Sequence, residues 1–264
     1  MNVYIPTCDA NSFVLKYFQY FFNKYWSSDI NIKILGFNKP SFDFEKNIEF
    51  ISLGNEQVGG ARGWSNYMID YFSSIEDKNF VFGIEDFAIA RPVDTTALNA
   101  CIDSIGDDIG RIDLQCSMQF ARHPSEVIPY QSKNGIEFLE LKQNGSYRVA
   151  GAFSIWNRSW FLKNMRRDWS PWDWEMSGSE LSINDGYKVI GTKNRWSIKK
   201  IEMISDRGWP GIINTRGIRA EDLRAMKDLR SQFDRVTHLE DIVDERWGYY
   251  EYCGPDWMRI IYGD

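Results

Sequence analysis

Two histidines are all this chain has, His123 and His238 among 264 residues. That excludes a histidine-built metal centre and any mechanism that needs several imidazoles. Cysteine is nearly as scarce. Cys8, Cys101, Cys116 and Cys253 stand far apart with no Cys-x-x-Cys pair. This spacing offers neither a zinc site nor a disulfide framework and fits a reducing compartment. No apolar run approaches the ~20 residues of a membrane-spanning helix. The start, "MNVYIPTCDA", lacks the basic and apolar regions of a secretion signal, so a cytoplasmic protein with no membrane span is expected. No repeat and no Gly-, Pro- or Ser-rich linker interrupts the chain, which argues against separate domains. Excess positive charge is also missing: the net charge is −6, so a wholly basic nucleic-acid binder is excluded and only a local basic face remains open.

Aromatic residues are abundant, at 16% with 11 Trp. They fill thick cores and also line clefts that stack on planar or ring-shaped ligands. The hydrophobic pattern reads as strand 2–7, helix 11–26 with Asn11 or Ser12 as its cap, and strands 30–37 and 48–54. A glycine-rich turn follows and opens a helix over 59–75, then come strand 79–84 and helix 93–105. The order β-α-β-β-α-β-α predicts an α/β fold with a mostly parallel central sheet flanked by helices. In such sheets ligands bind beyond the carboxyl ends of the strands. The second half reads as less regular: a strand over 147–156, a helix over 170–181, a strand over 195–204 and an amphipathic helix over 220–233. Ser170 is the expected cap of the 170–181 helix, with Pro171 at its first position and Asp173 in its first turn. Residues 1–110 are expected to form a ligand-binding half, and 111–264 a second half of the same domain.

The segment "FVFGIEDFAIARP" (80–92) poses the sharpest chemical question. Two acids, Glu85 and Asp86, interrupt its apolar run. Acids commonly end strands as turn formers. Two adjacent carboxylates at low dielectric, however, repel each other unless a cation lies between them. Mg²⁺ or Mn²⁺, which favour oxygen ligands, meet that need and commonly carry a diphosphate as well.

The apolar strand, acid pair and second apolar run resemble the Asp-x-Asp region of nucleotide-sugar glycosyltransferases of the GT-A fold, of the bacterial and phage type. Here the pattern is the variant Glu85-Asp86-Phe87. "YIPTCD" (4–9) is similar to the first strand and nucleoside loop of that family, with Thr7 and Asp9 at the polar positions. "GGARGWSN" (59–66) is similar to its glycine-rich stretch, with Arg62 and Asn66 beside the nucleotide. Glycines let backbone approach a ligand, and a helix N-terminus favours phosphate. "SPWDWE" (170–175) resembles a segment that lies over the acceptor cleft.

The resemblance implies transfer of a sugar from a nucleotide-sugar donor, expected to be a UDP-sugar, to a hydroxyl acceptor. It implies Mn²⁺ or Mg²⁺ held by Asp86 with help from Glu85, and donor contacts from Thr7, Asp9, Arg62 and Asn66. A carboxylate base must take the acceptor proton. Glu175 is the first choice and Asp173 the second, because Asp173 already suits the helix cap. Trp172 and Trp174 are candidate acceptor contacts, although an aromatic at either position is as well suited to the core. The acceptor is either a glycan or a hydroxymethylated pyrimidine in DNA. The DNA reading rests on Lys163, Arg166 and Arg167 and on a helix side carrying Arg224, Lys227 and Arg230, which could neutralise phosphates. Glu221, Asp222 and Asp228 on that helix make a solvated, charge-balanced face the plainer reading. A metal-dependent phosphodiesterase or nuclease, and a non-catalytic sugar-binding module, remain alternatives from other classes.

Overall fold

A computed structural model describes residues 1–89, 91–115, 118, 122–195, 197–198, 200–202, 221–222, 225, 249–251 and 259–261. The first strand, β1 (Val3–Pro6), enters the core immediately. It pairs in parallel with β2 (Ile32–Gly36), which pairs in parallel with β3 (Ile48–Ser52). β4 (Asn79–Phe82) lies parallel to β1 on its other side. These four strands are the ones that the hydrophobic pattern anticipates. Beyond them the sheet continues through β6 (Ile109–Asp113), β7 (Val127–Pro129), β8 (Phe138–Leu141), β9 (Ser154–Asn157) and β10 (Lys188–Thr192). The order across the nine strands is β3-β2-β1-β4-β9-β6-β10-β8-β7. Only β9 and β8 run against the rest, so the sheet is mostly parallel in strand direction. A short strand, β5 (Phe87–Ile89), leaves this sheet and pairs instead with β11 (Lys200–Glu202). β12 (Tyr249–Glu251) and β13 (Arg259–Ile261) form a separate antiparallel pair.

Side chains alternate across each strand, so one sheet supports two cores. Val3, Ile5, Val81, Ile155 and Ile190 face one side; Tyr4, Phe80, Phe82, Trp156 and Val189 face the other. Helix α1 (Leu15–Tyr25) covers the first side with the stripe Tyr17, Phe18, Phe21, Phe22 and Tyr25. Each of these is at most 5% exposed, and each fully buried large side chain contributes roughly 1.5–3 kcal/mol. α3 (Thr95–Ile102) lies on the same side, capped by Asp94, whose carboxylate accepts the Ala97 amide. The opposite side is covered by α2 (Trp64–Ser74), α4 (Arg158–Lys163) and α5 (Pro171–Leu181), which bring Phe72, Trp160, Phe161 and Trp174 onto the sheet.

Three expectations about local structure need correction. The strand expected over 147–156 is confined to Ser154–Asn157. Val149 and Phe153 are buried as the pattern requires, but the backbone of Val149 bonds to the Ser179 hydroxyl on α5 and not to a neighbouring strand. Asn11 makes no side-chain cap for the turn that opens α1. Of the strand expected over 195–204, Lys200–Glu202 pairs as one, while the described residues 195, 197 and 198 are not strand. The helix expected over 220–233 is described only at Glu221, Asp222 and Ala225, where it is helical; Arg224 and Arg230 lie outside the described residues.

Buried charge in the second half of the sheet was not anticipated. Arg111 on β6 is fully buried and pairs with Asp113 two residues on, at 3.3 Å. Arg148 is equally buried. It lies 3.5 Å from Asp185 and donates to the carbonyls of Tyr187, Lys142 and Leu141 and to the Ser182 hydroxyl. It thereby ties β8, the end of α5 and the approach to β10 together. No described helix is long and apolar enough to cross a membrane.

Candidate active site

Five chain segments meet beyond the carboxyl ends of the parallel strands. The first is the exit of β1. Thr7 begins it, and its methyl sits so close to Gly36 that a β-carbon there would lie 2.8 Å away. Asp9 follows and accepts both the backbone amide of Asn38, at 3.0 Å, and its side-chain amide, at 2.6 Å. The expected donor residue Asp9 thus also fastens the β1 exit to the β2 exit.

The second segment is the exit of β4, with the acid pair. Glu85 is 7% exposed and points back toward the first segment, where the Thr7 hydroxyl lies 3.5 Å from its carboxylate and the Asn11 side chain donates to it. Asn11 was expected to cap α1; the structure uses it to hold Glu85. Burial, and then the negative charge of Asp86, push the Glu85 carboxyl well above the usual carboxylate range. The hydrogen bonds from Thr7 and Asn11 act in the opposite sense and are outweighed. Two carboxylates are therefore held side by side in a setting that penalises their joint charge.

Among the described residues no group of three or more His, Cys, Asp and Glu side chains gathers around a point. A divalent ion on a diphosphate needs no such cage, because one or two carboxylates, water and the phosphates themselves complete its shell. Glu85 and Asp86 fit that donor set.

The third segment is the glycine-rich turn. Gly59 and Gly60 both have left-handed backbones, with φ of 85° and 58°. A β-carbon on Gly63 would lie 1.8 Å from the Val58 carbonyl oxygen, so only glycine fits. The 3-10 turn Gly60–Gly63 then runs straight into α2 and leaves Arg62 exposed. Asn66 also has a structural role. Its carboxamide donates to Asp168 at 2.9 Å and accepts the Asp168 amide at 3.0 Å. These bonds hold Asp168, which has a left-handed φ of 61°. This clamp, with the reciprocal bonds between Ser65 and Trp169, joins the start of α2 to the turn before α5.

The fourth and fifth segments are residues 149–153 and the start of α5. Ser170 and Asp173 form the anticipated capping box, in which the Ser170 hydroxyl accepts the Asp173 amide at 3.1 Å and the Asp173 carboxylate accepts the Ser170 amide at 3.0 Å. Hydrogen bonds from the Ser170 backbone and hydroxyl, and more weakly the Arg62 charge, hold the Asp173 carboxyl below the usual aspartate range. Arg62 and α5 are thereby brought together. Asp173 is spent on the helix end. Glu175, two residues on, points elsewhere: its Oε1 accepts the Gly151 amide at 2.6 Å. Ile84, the residue before the acid pair, lies on the same side of Gly151 as Glu175. The structure therefore sets Glu175 beside the exit of β4, part-buried, with one carboxylate oxygen fixed by backbone.

The two tryptophans separate. Trp172 is 49% exposed on α5. Trp174 is 1% exposed and packs against Trp64, Trp156, Phe82 and Phe161 with ring centroids 5.1–5.7 Å apart. The acceptor contact expected of Trp174 is withdrawn, because its ring is enclosed by core. Of the cations proposed to face a nucleic acid, Arg167 pairs with Asp70, Lys163 with Asp185, and Arg166 donates to the carbonyls of Lys163 and Met165. Asn11, Asn38 and Gly151 were missed by sequence reasoning. Only Gly151 carried a signal, a small residue midway between the apolar Val149 and Phe153.

No protein-family model matches the sequence, and no curated protein is significantly similar to it. Solved structures do resemble the fold. GalNAc-T7 with UDP, GalNAc and Mn²⁺ superposes with a TM-score of 0.50 at 10% identity, over 87% of this chain and 48% of that one. The mannosyltransferase PcManGT from Pyrobaculum calidifontis, in complex with GDP-Man and Mn²⁺, gives 0.47 at 12% identity, over 79% and 58%. A cytidylyltransferase from Leptospira borgpetersenii gives 0.43 at 14% identity, over 92% of each chain. This chain spans about half the length of the two glycosyltransferases. The shared feature is the fold, and it is the GT-A architecture that the acid pair and strand order suggested.

Proposed function

We propose that the protein is a glycosyltransferase that moves a sugar from a nucleotide-sugar donor, of the UDP-sugar class, to an acceptor hydroxyl. The observation that carries this reading is the acid pair at the carboxyl end of β4, with Glu85 turned to the β1 exit loop and Ile84, the residue before it, against the Gly151 that holds Glu175 of α5. In this reading the nucleoside lies along Thr7 and Asp9, and Arg62 adds charge-assisted bonds to the phosphates. Asp86, with Glu85, would hold Mn²⁺ or Mg²⁺ at the donor's diphosphate, where the bound ion would supply Lewis-acid charge neutralisation. Glu175 takes the acceptor proton on the oxygen not engaged by Gly151, as the acceptor oxygen bonds to the sugar carbon and the sugar–phosphate bond breaks. The Gly151 amide fixes the direction of that carboxylate, and Trp172 offers an exposed ring face to the acceptor. A glycan hydroxyl is favoured over a DNA base, because Lys163, Arg166 and Arg167 are engaged within the protein.

The test is a thermal-shift screen of nucleotide sugars and their nucleoside diphosphates with and without Mn²⁺, followed by transfer assays. A ligand present at 100 times its Kd adds about 2.7 kcal/mol to stability. One class of nucleotide sugar should raise Tm in Mn²⁺, and Asp86→Asn should abolish both that rise and transfer. If no nucleotide stabilises the protein, or if Asp86→Asn remains fully active, the reading fails. Hydrolysis of a phosphodiester without sugar transfer would favour a phosphodiesterase instead.

A further inference from the structure

Three segments far apart in sequence meet at Tyr25, in the last turn of α1. Its carbonyl accepts the amide of Val93, in the chain leaving β5, at 2.8 Å. Its hydroxyl donates to Asp222 at 2.5 Å. The other Asp222 oxygen accepts from Lys24 at 2.5 Å and from the Tyr20 hydroxyl at 3.1 Å. Asp222 is 1% exposed. A carboxylate from late in the chain is thus buried on one side of α1 and matched by three donors, one of them a cation. An unmatched charge there would be very unfavourable, so this contact is specific.

What it fastens is the flank of the acid pair. β5 begins at the residue after Asp86, and β11 is its only strand partner among the described residues. Ala88 and Ile89 of β5 share a core with Phe18 and Phe21 of α1. Before β11 the chain is tied to the rest of the molecule by Arg195 to the Asp94 carboxylate (2.8 Å from Nε), by the Asp94 amide to the Ser197 carbonyl (3.0 Å) and by the Ile198 amide to the Leu114 carbonyl (2.7 Å). Among the described residues beyond β11, Asp222 and Glu221 fasten the chain to α1. β5 itself pairs with β11, packs on α1 and leads to Val93, whose amide the Tyr25 carbonyl holds.

We propose that Asp222 is a positioning residue for the donor site: it fixes Tyr25 at the end of α1, Tyr25 holds Val93 in the chain leaving β5, and β5, with Glu85 and Asp86 before it, is thereby kept against α1. The effect on donor binding rests on the acid pair serving the diphosphate; the effect on β5 does not.

The variants are Asp222→Asn, which removes the charge, and Tyr25→Phe, which removes one donor and keeps the carboxylate. Arg148→Met, remote from β5, is the control for general destabilisation. Amide exchange of residues 87–89 should speed up by about tenfold or more in Asp222→Asn while β1 and β2 keep their protection, because local opening is separable from global unfolding. Donor KM should rise by about tenfold with kcat changed less than about threefold. Tyr25→Phe should show both effects on a smaller scale, and it provides the readout if Asp222→Asn does not fold. Arg148→Met should lower Tm and leave β5 exchange and donor KM unchanged. Unaltered β5 exchange in the folded variants, or exchange that rises equally in β1 and β5, overturns the proposal. A wild-type protein that binds no nucleotide overturns the functional reading instead, with the exchange measurement still deciding the role of Asp222.

Discussion

The two ends of the nine-stranded sheet handle polar residues in opposite ways. In β3-β2-β1-β4 every buried strand residue is apolar or glycine, and the candidate site residues Thr7, Asp9, Glu85 and Asp86 lie just past the carboxyl ends. In β9-β6-β10-β8-β7 polar and charged groups lie inside: Arg111 and Asp113 on β6, Ser154 and Asn157 on β9, Thr192 on β10, with Arg148 alongside. Most of these have partners within the protein, such as the Gln115 amide on Asp113 and the Trp160 amide on Asn157. The difference teaches where to look for function. In the first region no charged side chain is buried within a strand, and the acid pair follows the strand end. In the second, a charged side chain is an internal tie, because a buried charge is tolerated only when matched.

The largest expected effect tests the cleft side of that division. Glu175→Gln should lower turnover by about 10²–10⁴, the usual worth of a general base, with donor affinity nearly unchanged. The glutamine oxygen can still accept the Gly151 amide, so the fold should hold. Single-turnover kinetics with donor at saturation measure this. If Asp173→Asn is the inactive variant and Glu175→Gln is active, the two acids have been assigned the wrong way round.

How much of this was legible beforehand follows from the range of the interactions. Strands β1 to β4, the helices between them and the capping box of Ser170 and Asp173 rest on periodicity and on contacts within a few residues, and the sequence displays those directly. The acid pair was visible because it breaks an apolar run. The insertion of β9 between β4 and β6, the pairing of β5 with β11 and the contact of Asp222 with Tyr25 join residues tens to nearly two hundred positions apart. No local pattern encodes such partners. Trp174 shows the same limit from the other side: a tryptophan two residues from an exposed one was offered to the acceptor, and only packing reveals that its ring is core.

The internal-tie side of the division is tested by Arg148→Met. It leaves the Tyr187, Lys142 and Leu141 carbonyls without this donor, and it should destabilise the fold by about 3–5 kcal/mol, as for a broken buried ion pair. Asp185 keeps bonds from Trp160 and Lys163, which favours the lower end of that range. Denaturant unfolding gives the stability, and kcat per folded molecule should match wild type. A variant that keeps its stability and loses turnover would break the division and place Arg148 with the catalytic groups.

The smallest effect sharpens the boundary between the two roles, because it falls on α5, where an internal tie and the proposed base stand two residues apart. Ser170→Ala removes the cap of α5 and should cost about 1 kcal/mol. Its partner Asp173 gives the same contact a pH signature. The Asp173 carboxyl is held below its ordinary range by the Ser170 backbone and hydroxyl bonds, so the folded state favours the ionised form. Its contribution is therefore fully present above the unfolded-state pKa and is lost as pH falls through the lower folded-state value. The Tm difference between wild type and Asp173→Asn should be constant around neutral pH and shrink only at acid pH, below the ordinary aspartate range. Turnover of Asp173→Asn should follow its folded fraction at every pH. A rate that drops at neutral pH while Tm barely moves would mean that Asp173 meets the substrate, and the helix cap and the catalytic base would then be one residue.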